Sequence, residues 1–275
     1  VNDSVFDQFR DKTGERPSVD KQNADLTLNL HVTRRNEVSV SLNSSGESLH
    51  RRGYRRRTGG APINEVLAAG LLLLAGYDGE VPFVDPMCGS GTIVAEAAMI
   101  AARQAPGIHR NFGFERWPDF DAGLWAGIRQ DARNRQRTPP QPIIGSDHDE
   151  LTARLAQLTL DRTGLLPYTS IQAHDFRDLP APTPLAEKNG GILVTNPPYE
   201  VRLQTGDIQG LYSMIGDTLK QRWKGYNAWI ISGSKDGIKS VGLRTSKKVQ
   251  LMNGPLEVRY CKYELYGGSR KQKPE

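Results

Sequence analysis

Residues Gly191 to Tyr199 read G-I-L-V-T-N-P-P-Y, a short apolar run that stops at Asn196, Pro197, Pro198 and Tyr199. Ile192, Leu193 and Val194 favour extended backbone and are too few for a helix, so the run reads as a strand covered on both faces. The carboxyl end of such a strand opens onto a crevice. The two prolines remove two backbone donors, and Pro197 pushes Asn196 out of the helical region. Carbonyls and the Asn196 amide therefore face outward with no partner inside the sheet. A ligand bringing an amino group, with a flat ring to lie on Tyr199, suits these acceptors. The competing reading is a plain turn after a strand.

A second stretch weighs against the plain turn. Phe83 to Thr92 reads F-V-D-P-M-C-G-S-G-T: a short strand, an acid at its end, then a glycine-rich turn opening a helix near Thr92. Glycines let backbone approach a ligand closely, and a helix N-terminus offers free N–H groups. The loop has neither the G-x-G-x-x-G of a dinucleotide fold nor the G-K-[ST] of a P-loop. Together the two stretches resemble motifs I and IV of the amino-directed S-adenosylmethionine (AdoMet) methyltransferases.

The 275 residues leave room for one large α/β domain plus a smaller piece, and 37% hydrophobic with 24% charged residues is enough to bury a core. The net charge of +5 suits a polyanionic partner without proving one. The longest apolar run, Val66 to Ala75, is far too short to span a membrane. Cys88 and Cys261 stand in unlike contexts, so neither a disulfide framework nor a zinc site is indicated, and a reducing cytoplasm is the default. The histidines, at 31, 50, 109, 148 and 174, show no metal spacing.

From Val1 to about Lys12 the pattern is helical, and Leu26 to Val32 and Val38 to Leu42 alternate as a hairpin with one wet face, turning at Arg34 to Asn36. This piece has too little core to stand alone. Next come Arg51, Arg52, Arg55, Arg56 and Arg57 around Tyr54, a candidate RNA contact whose bland alternative is a solvated linker. Pro62 opens an apolar helix through Val66, Leu67, Gly70, Leu71 and Leu74, ending at Gly76. Ile93 to Ala102 is an alanine-rich helix. Residues 103–142 depart from a compact plan and read as an inserted helical segment with a second basic run. Ile143-Ile144 leads to Asp147, which can hold a ribose diol or cap a helix, with Asp149 competing for the cap. That helix runs through Leu151, Leu155 and Leu158. Tyr168 to Ala173 is a strand ending at His174-Asp175-Phe176. After the central strand, Asp207 to Trp223 is helical, Ala228 to Ile231 is a strand, and two last strands flank Asn253-Gly254, a hairpin signal. Strands alternating with helices give a mostly parallel sheet with its ligands at the carboxyl ends.

The order of motifs, L-H-R-R-G-Y-R at Leu49 to Arg55, A-P-I-x-E at Ala61 to Glu65, D-P-M-C-G-S-G-T, A-P-G-I-H-R, F-G-F-E-x-W, G-S-D-x-D, N-P-P-Y-E-x-R-L and N-G-P-L, resembles the bacterial THUMP-containing 23S rRNA guanine-N2 methyltransferases. The resemblance implies a Rossmann-like methyltransferase fold with a mostly parallel seven-stranded sheet closed by an antiparallel hairpin. It implies a partial THUMP piece over 1–52 and a methyltransferase domain over 53–275, with the front half of the THUMP module missing or a further domain fused. It implies AdoMet as cofactor and 23S rRNA as partner, with neither membrane nor metal. Asp85, Gly89 and Gly91 would surround the methionine end of AdoMet, Asp147 the ribose, and Asp175 the adenine amine, a residue whose other reading is a loop cap. Pro62, Pro86, Cys88, Ser90, Thr92, His148, Phe176 and Asn196 complete the expected cofactor site. Asn196, Pro197, Pro198 and Tyr199 would meet the target base.

Two other activities compete: adenine-N6 methylation of DNA or RNA, which offers the tetrapeptide the same exocyclic amine, and a non-catalytic RNA-binding module. The module would fit a degraded cofactor loop, and here both motifs are intact. A nucleophilic role for Cys88, as in C5-pyrimidine methylation, is rejected because its neighbours form a cofactor loop and an amine target needs no covalent step.

Overall fold

Phe83 and Val84 point to opposite faces of one strand, Leu193 and Val194 to opposite faces of the next, and all four are fully buried. Only a sheet covered by helices on both sides allows that. A computed structural model describes residues 2–20, 24–55, 63–182, 190–199 and 207–266. The elements are α1 (Asn2–Thr13), β1 (Leu28–Val32), β2 (Val38–Leu42), α2 (Glu65–Ala75), β3 (Phe83–Asp85), α3 (Thr92–Ala101), α4 (Ala122–Asn134), β4 (Ile143–Asp147) and α5 (Glu150–Thr163). They continue with β5 (Ser170–Ala173), β6 (Ile192–Thr195), α6 (Ile208–Arg222), β7 (Asn227–Ser232), α7 (Lys235–Ser240), β8 (Lys247–Asn253) and β9 (Leu256–Glu264).

The large sheet has seven strands in the order β5-β4-β3-β6-β7-β9-β8. The first five pair in parallel, while β9 runs antiparallel to both β7 and β8. Strand order therefore reverses between β3 and β6. At such a switch point the connections leave on opposite sides and open a crevice above the carboxyl ends. The glycine-rich turn follows β3 and Asn196 follows β6, so both motifs sit at this crevice. Residues of α2, α3 and α5 pack on one sheet face with Phe83, Ile192, Val194 and Trp229, and residues of α6 and α7 on the other with Val84, Leu193, Ala228 and Ile230. Gly191, just before β6, is needed for clearance: a Cβ there would lie 2.1 Å from the Tyr226 ring.

Two helices present different faces from those expected. On α5 the leucines 151, 155 and 158 are 73%, 39% and 48% exposed, and Ala153, Ala156 and Leu160 are buried instead. The small side chains let the helix approach Gly91, where a Cβ would stand 2.9 Å from that of Ala156. On α2, Ala68, Leu71 and Leu72 are buried while Val66 and Leu74 reach solvent. Its limits follow the capping rules: Asn64 accepts from the Val66 and Leu67 amides, and Gly76 closes the helix at φ 77°.

The chain divides into two compact units, residues 1–48 with 111–125, and 49–110 with 126–275. Part of the expected insert thus belongs with the N-terminal piece. There Phe112, Phe114 and Trp125 form an aromatic cluster, the Phe114 amide donates to the Ser44 carbonyl at 2.9 Å, and Gly113 backs onto Gly46. The β1–β2 hairpin pairs Leu28 with Leu42, Leu30 with Val40 and Val32 with Val38. The expectation of one dry face is not met, because all six of these side chains are exposed.

Candidate active site

The crevice has a volume of about 1190 Å³, and two groups of expected site residues stand in its wall. Pro86, Met87, Gly89, Asp147, His148, Asp175 and Phe176 come from the β3, β4 and β5 ends, and Asn196, Pro197, Pro198 and Tyr199 from the β6 end. Small-molecule sites commonly span roughly 300–1,000 Å³, so this one can take a nucleotide-sized cofactor beside a base.

Gly89 and Gly91 serve different ends. Gly91 (φ 81°) packs against Ala156, whereas a Cβ on Gly89 (φ 54°) would meet nothing within 4 Å. Gly89 therefore leaves open space on the crevice wall for a ligand. Its amide donates to Asp147 Oδ2 at 3.1 Å, tying the loop to the β4 tip. Asp147 Oδ1 accepts from the Asp149 amide at 3.1 Å and stands 3.3 Å from His148 Nδ1. The helix cap itself is Asp149, which accepts from Thr152. Asp147 is thus free of that duty and faces the crevice.

Asp85 does not line the crevice. It is 1% exposed, accepts from the Met87 amide at 3.3 Å and holds the loop from behind. Complete burial pushes its carboxyl up to about 7, opposed by the Met87 hydrogen bond. Cys88, Ser90, Gly91 and Thr92 also fall outside the lining. Burial raises the Cys88 thiol, and the Asp85 and Asp147 charges reinforce the shift, which keeps it protonated and unsuited to nucleophilic attack. Thr92 Oγ1 is taken by Arg55.

Asp175 lines the crevice with its carboxylate already engaged. Oδ1 accepts from the Arg177 amide at 2.8 Å and from Arg177 Nε at 2.9 Å, and Oδ2 from Nη2 at 2.8 Å. These bonds to Arg177 hold its pKa down to about 2. At the β6 end the situation is the opposite. Asn196 Oδ1 is buried and has no hydrogen-bond partner among the described residues, and no other crevice-lining residue carries such an atom. A buried acceptor left open costs roughly 1–3 kcal/mol, and this one belongs to a residue of the crevice lining, so it is the acceptor that an incoming donor would relieve.

Two members of the arginine run, Arg52 and Arg55, are engaged with the core. Arg52 Nε lies 3.3 Å from Glu96 Oε1, which also accepts from Tyr54 Oη at 2.8 Å. Arg55 donates to the Ile63 carbonyl at 2.9 Å and stands 3.5 Å from Glu65. Glu65, Glu96 and Tyr54 are all buried, so these cations neutralise carboxylates of the core. The Arg51 carbonyl accepts from Arg110. Arg56, Arg57 and Pro62 lie outside the described residues.

Sequence reasoning missed part of the wall: Asn64, Met87, Thr152, Arg177, Leu211, Met214 and the β8–β9 turn from Asn253 to Leu256. The turn was visible as a hairpin signal, but nothing local shows that its tip reaches the crevice. Asn253 Nδ2 donates to Tyr199 Oη at 3.0 Å. Among the described residues no group of three or more His, Cys, Asp or Glu could hold a metal ion, and no helix is long and apolar enough to cross a membrane.

Comparison with known proteins bears on the family and the fold. Residues 52–262 match the UPF0020 family model, described as an RMKL-like methyltransferase domain, and residues 1–43 match the THUMP domain model. A Synechocystis sp. protein, provisionally assigned as an RNA methyltransferase, is 41% identical over 97% of this chain and 68% of its own length. Ribosomal RNA large subunit methyltransferase K/L of Syntrophotalea carbinolica is 38% identical over the whole of this chain, which spans 40% of that protein. The crystal structure of SMU.472, also provisionally assigned as a methyltransferase and complexed with SAH, superposes with a TM-score of 0.83 at 30% identity over 97% of this chain and 69% of that one. The chain belongs to the family of RMKL-like methyltransferase domains, here behind a THUMP segment.

Proposed function

We propose that this chain transfers a methyl group from AdoMet to the exocyclic N2 of a guanine in 23S rRNA, in the cytoplasm. The observation that carries this reading is the unpartnered Asn196 Oδ1 at the β6 end of the crevice. The THUMP segment and the ribosomal RNA methyltransferase relative favour RNA as the substrate.

The residues present fit AdoMet. Gly89 leaves open space, Asp147 brings a carboxylate acceptor for hydroxyl groups, Asp175 Oδ2 keeps a second lone pair for an amine beside its bond from Arg177, and Met87 and Phe176 add apolar surface for a ring. When bound, AdoMet supplies an electrophilic methyl on a sulfonium. The amine lone pair of guanine is delocalised into its ring, so the enzyme has to redirect it. Asn196 Oδ1 accepts one N–H and the Pro197 carbonyl the other, which favours a pyramidal nitrogen, while Tyr199 lies against the base. Transfer from the bound sulfonium would form the N–C bond and break the C–S bond, and the displaced proton would pass to water. Positioning and stabilisation of the charge growing on nitrogen account for the acceleration. The base has to leave its stack to enter, at a cost of a few kcal/mol, which favours a loop or strained site in the RNA.

The test is tritiated methyl transfer from AdoMet to undermodified 23S rRNA, followed by nucleoside analysis. Label in N2-methylguanosine is the expected result. Label in N6-methyladenosine would move the target to adenine, and no transfer to any RNA would contradict the reading.

A further inference from the structure

We propose that Asn253, together with Gly233, positions the ring of Tyr199 for stacking on the target base, an inference that rests on the role given to Tyr199 above. Three strand ends meet at this ring: β6 supplies it, β7 gives it room and the β8–β9 turn holds its hydroxyl. The hydroxyl accepts from Asn253 Nδ2 at 3.0 Å across 54 residues of sequence.

Turn formation does not explain an asparagine at 253. It is the last paired residue of β8, opposite Leu256, and the positive φ that the turn needs, 62°, falls on Gly254. Its amide is therefore free to serve another element, and it serves Tyr199. Gly233 has no positive φ to excuse it either. A Cβ there would stand 3.0 and 3.1 Å from two Tyr199 ring carbons and 3.2 Å from Leu256 Cδ2. The glycine thus gives the ring its seat. A stacking platform works only in one orientation, and a tyrosine has two soft torsions to fix. Contact at Gly233 limits the ring plane, and the Asn253 bond pins its far end.

The experiment compares the wild type, Asn253→Ala, Tyr199→Phe and the double variant in single-turnover methyl transfer to undermodified 23S rRNA, with AdoMet titrations and urea midpoints on all four. Asn253→Ala should slow transfer by roughly three- to tenfold, the span of one neutral hydrogen bond, with AdoMet affinity unchanged. In the Tyr199→Phe background the same substitution should slow it no further. Equal slowing in both backgrounds would show that Asn253 acts elsewhere and overturn the proposal. If the wild type methylates no RNA, the functional reading fails and the urea midpoints decide the link: non-additive shifts support it, additive shifts overturn it.

Discussion

Asn196 and Arg52 are both polar side chains that the sequence marks as reaching for a ligand, and the fold treats them in opposite ways. Arg52 is closed: its guanidinium and the Tyr54 hydroxyl are spent on Glu96, a carboxylate buried in α3. Asn196 is open: its amide oxygen is buried at the crevice and nothing among the described residues donates to it. A partnered buried charge contributes to the fold, whereas an unpartnered buried acceptor on a residue that lines a cavity is a place for something that arrives. Function in this chain is better located by the bonds left unmade than by the charges in view.

Removing Arg52 should have the largest effect. Taking one partner from a buried ion pair typically costs about 3–5 kcal/mol. Arg52→Ala should therefore lower the urea stability by about 3 kcal/mol while the salt dependence of RNA binding stays as in the wild type. Adding Glu96→Gln should restore part of the loss, because the stranded carboxylate is then neutral. A stable Arg52→Ala protein with a flattened salt slope would return Arg52 to phosphate binding.

A smaller effect is expected at the open end. Tyr199→Ala removes a stacking face worth roughly 1–3 kcal/mol, so both RNA affinity and transfer rate should fall while AdoMet titration is unaffected. RNA binding equal to that of the wild type would take Tyr199 out of the base pocket.

Asp175 sharpens the comparison from between the two classes, since it lines the crevice yet is already claimed by Arg177. Its pKa, held down to about 2 by those bonds, lies below the ordinary carboxylate value it regains on unfolding. The contribution is therefore present above about pH 4 and is lost as pH falls towards 2. Arg177 is mostly exposed, so the effect is modest. The test is thermal denaturation between pH 5 and pH 2, where Arg177→Ala should lose less stability than the wild type; parallel curves would show the pair to be inert.

Much of the architecture was legible because it is written in local rules. Continuous apolar runs such as Ile192 to Val194 mark strands covered on both faces, and Asp149 and Gly76 mark helix ends through capping chemistry, whereas the start of α2 was expected at Pro62 and is set by Asn64. What could not be read was partnership across the chain. Arg52 looks like a phosphate contact until Glu96, 44 residues beyond it, is seen beside it. Asn253 looks like a turn former until Tyr199 is found at its amide. The leucines of α5 follow helical spacing, yet the alanines between them face the sheet, because close approach to Gly91 favours small side chains over large ones. Nothing in the amino-acid order of residues 111–125 announces their packing with the first 48 residues.

The most direct test of the account is single-turnover methyl transfer by Asn196→Ala on undermodified 23S rRNA, with AdoMet affinity and urea stability measured on the same protein. The rate should fall by roughly 10²-fold or more, the scale of losing one preorganised electrostatic partner, with AdoMet affinity and stability close to wild type. A folded Asn196→Ala protein that methylates guanine N2 at the wild-type rate would contradict it, and would leave the open acceptor at the end of β6 without a catalytic role.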